Sequence, residues 1–259
     1  MLDRPSLAPF GRMFRAQFRA EVLRLRRNRG FTLFSLLLPL IFYTLFALPN
    51  LKGHLLGANL GLYLMAVYAG YGCVSVMLSN FGVAIANERL QRANVLLKAS
   101  PISPLTYLLA KLASSLLYAL ILIAVMVIYG TSATGLNLPL GQLLDLAVRL
   151  LLGALPFVFL GFALGQAANP DAGQAVINLV NLVISFLSGL LVPLASLPHF
   201  VQGVAKVLPG YWYAQLIVQS LGAKTQPLGE LVLVLTAYSA ALLLLAVWAY
   251  RRQEEREFS

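Results

Sequence analysis

Charge is scarce in this chain of 259 residues. Only 11% of them are Asp, Glu, Lys or Arg, against about 25% in a soluble domain. Nineteen basic and nine acidic side chains cannot cover a water-soluble globule of this size. An apolar content of 59% also excludes a disordered chain. Cysteine is nearly missing: Cys73 alone excludes an intramolecular disulfide framework and a cysteine metal cluster. The histidines are His54 and His199, and neither H-E-x-x-H nor G-x-S-x-G occurs. The phosphate loop G-x-x-x-x-G-K-[ST] is also lacking, since Gly222-Ala223-Lys224-Thr225 supplies only its second half. What the chain has in quantity is apolar length, with a mean hydropathy of +0.81 and a net charge of +10.

A bilayer core about 30 Å thick needs roughly 20 apolar residues in a helix. Six such runs are read: 31–48, about 60–86, about 105–130, about 143–168, 172–192 and 231–249. Prolines or charges close most of them: Pro49 the first, Glu88 the second, Pro170 the fourth, Pro193 the fifth, Arg251-Arg252 the last. The expected fold is all-α and integral to a membrane, a single transmembrane domain over 1–259. Fifteen of the nineteen basic residues fall on one side of these spans, leaving Lys52, Arg149, Lys206 and Lys224 on the other. That asymmetry puts both termini in the cytoplasm. It also turns the positive charge into a topology signal and a contact for lipid headgroups, so a nucleic-acid partner is not expected. A secretory leader does not fit, because the first apolar run starts after thirty residues and lacks an A-x-A-like site.

The polar segments are patterned. In residues 1–30, Phe10, Met13, Phe14, Phe18, Val22 and Leu25 recur at helical steps with Arg12, Arg15, Arg19 and Arg26 between them. This predicts a basic amphipathic helix at the inner headgroup layer. The loop 87–104 reads as a short charged helix over Glu88–Lys98 broken by Pro101 and Pro104, with Ser103 placed to cap the next span. Its composition suits either an ordinary topogenic loop or a stiff helix receiving work from a soluble partner.

Several residues here carry a resemblance. Glu88-Arg89, Leu96-Leu97, Ser100-Pro101, Ser103-Pro104-Leu105 and Lys111 resemble the loop of ABC-2 type transporter permeases. Pro193, Leu197-Pro198, Val204-Ala205 and Leu208-Pro209 through Tyr213 are similar to the outer region before that family's last span. Arg92-Ala93 departs from the family, standing where a Gly-Thr pair is common. The resemblance implies that Glu88–Lys98 is a coupling helix, with Glu88, Arg89, Leu90, Leu97, Ser100 and Pro101 coupling to an ATPase. It implies two copies of a cytoplasmic ABC ATPase, which bind ATP and Mg, and a second permease, a like or related chain. No cofactor is expected in this chain, and it is expected to be a transport subunit rather than an enzyme.

Polar residues inside spans are functional candidates. Gln174, Asn178, Asn181, Ser185 and Ser188 follow steps of three and four along the fifth span. Such a stripe lines a substrate path or dimer interface, or bonds helix to helix. Tyr68, Tyr71 and Ser75 form a looser face on the second span. Gly57-x-x-x-Gly61 and Gly161-x-x-x-Gly165 permit close helix approach. Residues 194–228 are too apolar for a free loop and read as a re-entrant or interfacial helical segment. The favoured function is an exporter permease of the inner (plasma) membrane for an amphiphilic drug, antibiotic or lipid-like molecule. An ion-coupled carrier or channel lacks a mid-membrane acid, and an intramembrane enzyme lacks a catalytic set.

Overall fold

A computed structural model describes residues 10–51, 53–91, 103–135, 138–169 and 171–257. It is all-helical apart from one small hairpin. Helices α1 (Phe10–Arg27) and α2 (Arg29–Phe46) lead to the hairpin His54–Leu55 and Ala58–Asn59. Then come α3 (Leu60–Leu78), a π-helical turn (Ser79–Val83), α4 (Ala84–Leu90) and α5 (Pro104–Thr134). The rest comprises α6 (Leu140–Gly153), α7 (Leu155–Ala167), α8 (Gly173–Leu187), α9 (His199–Ala205), α10 (Pro209–Gln219) and α11 (Leu228–Glu257). Among the described residues, five stretches are long and apolar enough to cross a membrane, namely Leu33–Asn50, Leu60–Leu90, Pro104–Thr134, Leu140–Ala167 and Leu228–Arg252. Gly173–Leu187 is a shorter apolar sixth.

The second span is the axis of the bundle. Almost every residue of α3 from Tyr63 to Leu78 is buried, against α2, α5, α7 and α10. In contrast, α2 and α11 turn most of their Leu, Ile and Phe side chains outward. Association of such helices gains little from apolar burial, because lipid is as apolar as leucine; small residues and close packing replace it. Gly161 and Gly165 behave this way. A Cβ at Gly161 would lie 3.1 Å from the Leu78 backbone, and one at Gly165 would lie 2.7 Å from the Gly82 carbonyl. Gly57 and Gly61 do not form a second such pair. Gly57 sits with Leu56 in the two-residue hairpin turn, both at positive φ, and only Gly61 is helical.

The expected fourth run is one stretch bent at Ala154, where Pro156 starts a new helix. Asp145 and Arg149 pair on its face at 2.8 Å. Arg149 also donates to Gln219 Oε1 at 2.7 Å, tying α6 to α10.

The fifth run is helical over a shorter length than 172–192. Helix α8 ends at Leu187 because Gly189 takes a left-handed φ of 83° and Pro193 follows. Its fifteen residues span about 22 Å, too little for a full crossing. Helix α10 compensates. The Ser220 carbonyl just past its end accepts from Gln142, and the Tyr213 hydroxyl within it donates to Leu150 O at 2.8 Å beside Cys73. The 194–228 segment thus holds two short helices, α9 laid against α8 and α10 packed into the bundle. In α9, Val201 and Ala205 face inward, while Phe200 and Val204 point out.

Candidate functional site: a buried charge node

Four ionised side chains from three helices converge where α4 ends and α5 begins. Helix α1 contributes Glu21 and Arg24, one turn apart and paired at 2.6 Å. Both lie on the face that carries buried Leu25, opposite the exposed arginines 12, 15 and 19. Helix α4 contributes Glu88. Helix α5 starts at Ser103, whose hydroxyl accepts from Thr106 N at 3.2 Å, with Pro104 in its first turn. That start sets Tyr107 and Lys111 one turn apart on the same face.

Lys111 is fully buried, and its Nζ lies 3.2 Å from Glu21 Oε1 and 3.1 Å from Glu88 Oε1. Arg24 Nη1 reaches Glu88 Oε1 at 2.7 Å, and the Tyr107 hydroxyl donates to Glu88 Oε2. The π turn supplies the remaining part. An extra residue in the helical repeat re-aims the side chains that follow, and Asn80 lies within it. Asn80 Oδ1 accepts from Arg24 Nη2 at 2.8 Å, while Nδ2 donates to Ser115 Oγ at 2.5 Å. Two acids and two bases balance, so the node is neutral. That neutrality is what makes burying it tolerable, since each charge keeps partners of opposite sign.

Arg89, the next residue, points elsewhere. Its Nη1 donates to the carbonyls of Gly165, Gln166 and Ala168 at 2.9, 2.7 and 2.9 Å. Those are carbonyls at the end of α7, where a helix leaves its last acceptors unpaired and the dipole favours a cation.

Of the residues the sequence singles out for coupling, Glu88 and Arg89 therefore turn into the protein, while Leu90 is exposed. Leu97, Ser100 and Pro101 lie outside the described residues. The polar stripe divides. Asn181, Ser185 and Ser188 are buried, with Gly210 of α10 packed on Ser188, whereas Gln174 and Asn178 are exposed. Tyr68 and Tyr71 are buried beside Phe42, and Ser75 is half-buried. The Tyr68 hydroxyl meets the chain just beyond α8, donating to Leu191 O at 3.4 Å. Glu21, Arg24 and Asn80 were not singled out by composition or spacing. One signal was present: Glu21 is the lone acid of a basic helix, placed one position before apolar Val22.

Five long apolar helices and a shorter sixth, with a charge-stapled amphipathic helix laid against them, fit a multi-pass membrane protein. The family model "ABC-2 family transporter protein" matches residues 57–248, and the chain belongs to that family. It is also similar to the "Putative transport permease YvfS" of Bacillus subtilis (strain 168), at 24% identity over 236 residues, covering 91% of this chain and 96% of that one. Family membership implies an ABC ATPase as partner, with this chain as a transport subunit.

Proposed function

We propose that this chain is the membrane subunit of an ATP-driven exporter in the plasma membrane, with both termini and the 91–103 segment in the cytoplasm. The observation that carries the reading is the node itself. Ion pairs converge on the root of the loop that the family resemblance makes the docking element for the ATPase. They join that root to the amphipathic helix and to the third span. A rigid root is what a loop needs if a push from outside the membrane is to move helices rather than be lost in bending.

Two ATPases would bind ATP and Mg, and two permeases would face each other. The exposed Gln174 and Asn178 support α8 as the facing element, since amides on a spanning helix are costly against lipid alone. ATP-driven closure of the ATPases would then push each loop, rock the permeases and open a route between them. A mostly aliphatic wall with a thin polar stripe suits an amphiphile: a hydrophobic drug, an antibiotic or a lipid-like molecule.

The test is copurification of the tagged chain with an ABC ATPase, followed by vesicle transport with Glu88→Gln and Leu97→Ala. Both substitutions are expected to lower ATP-dependent transport while the chain still inserts. Transport by the purified chain with no ATPase present would overturn the reading.

A further inference from the structure

Resting on that reading, we infer that Glu88-Arg89 is a forked linkage, and that Arg89 is the positioning residue carrying loop motion into the fifth span. Successive residues of a helix point about 100° apart, and the two prongs engage different parts of the bundle. Glu88 holds α1 and α5 through Arg24 and Lys111. Arg89 holds the corner between α7 and α8 through three carbonyls.

That corner is gripped a second time by the same helix. Ala86 lies one turn before Arg89 and abuts the first residue of α8 so closely that a Cβ at Gly173 would lie 2.6 Å from the Ala86 Cβ. The carbonyls just before the corner and the glycine just after it are therefore both fixed to α4. Helix α8 starts at that glycine and carries the exposed Gln174 and Asn178 within its first two turns. While Arg89 is bonded, a displacement of the end of α4 pulls on the end of α7 that leads into α8, whose first glycine packs on Ala86. Three carbonyls converging on one nitrogen ask for a cation with several N–H donors, a demand that an ammonium also meets.

The experiment uses the full chain with its ATPase in lipid nanodiscs, in a Cys73→Ala background carrying Gln174→Cys. A maleimide probe reads the labelling rate at position 174 without nucleotide and with Mg-ATP-vanadate. With Arg89 intact, the two rates should differ by at least about fivefold, the lower end of ordinary coupling between sites. Arg89→Met should bring the ratio to unity while the ATPase still copurifies, and Arg89→Lys should restore it. A merely structural arginine would lower thermal stability in the methionine variant and leave the ratio intact. If the methionine variant fails to insert, Arg89→Gln, which keeps the two N–H donors of a neutral amide but not the positive charge, takes its place with the same expectation. A ratio that survives loss of the cation, a lysine that restores nothing, or a parent rate indifferent to nucleotide would each overturn the linkage. Absence of any bound ATPase in the parent would instead overturn the exporter reading.

Discussion

Lys111 is the residue whose removal costs most. It has no exposed surface and two carboxylate partners within 3.2 Å. Replacing it with Met keeps the volume but leaves two acids facing Arg24 alone. Breaking a buried pair this way costs about 3–5 kcal/mol, so Lys111→Met should unfold in detergent at markedly lower denaturant. Adding Glu21→Gln should recover part of that loss by restoring neutrality. Gly165 offers a steric counterpart. A methyl there meets the Gly82 carbonyl, which is backbone and cannot swing aside. Gly165→Ala should destabilise by about 1–3 kcal/mol, typical of overpacking, as measured by thermal aggregation of the purified chain.

At the scale of elements, the amphipathic helix is the instructive case. Its facing was legible in the spacing of Phe10, Phe14 and Phe18, whose rings stack at 6.1 Å along one side. Its partner was not. Period identifies an apolar face but not what covers it, and headgroups and a neighbouring helix accept the same face. The structure lays α1 along α5, with Phe10 and Phe14 on one side and Leu109, Leu112 and Leu116 on the other of a shallow apolar cleft. Amide exchange should accordingly be slow from Glu21 to Leu25 and faster near Phe10, and Lys111→Met should speed exchange in the protected part. The fifth span shows the opposite failure. Its apolar run extends to Val192, but hydropathy takes no account of backbone dihedrals, and the left-handed Gly189 stops the helix early. The π turn was hidden for a similar reason: one residue added to a helical repeat leaves the apolar run unbroken. Glu88, Arg89 and Lys111 were legible because charges at the edge of an apolar run stand out. Asn80, a small amide within it, did not.

At the scale of the whole molecule, the division of the polar stripe decides what a second copy could touch. The stripe from Asn181 onward is buried within the bundle, with Gly210 of α10 on Ser188, leaving Gln174 and Asn178 as its uncovered part. A combined Gln174→Leu and Asn178→Leu chain should fold and insert as before. In crosslinking between differently tagged copies it should lose self-association, and equal crosslinking yields would argue that α8 faces lipid. The six apolar stretches, their order and the charge asymmetry were all present in composition. How the halves of α8 differ depended on contacts distant in sequence, such as Gly210 on Ser188.

The neutral node also sets a timetable for making the protein. Ribosomes deliver Glu21 and Arg24 first, Glu88 next and Lys111 last. Until the third span emerges, Glu21 and Glu88 share the Arg24 guanidinium, and the node is one countercharge short. Uncompensated charge is expelled from an apolar setting, so α1 cannot settle on the bundle before Lys111 arrives. The lysine acts as a closing pin, and a nascent chain arrested before it would leave its amino-terminal helix open to proteases and chaperones that the finished chain turns away.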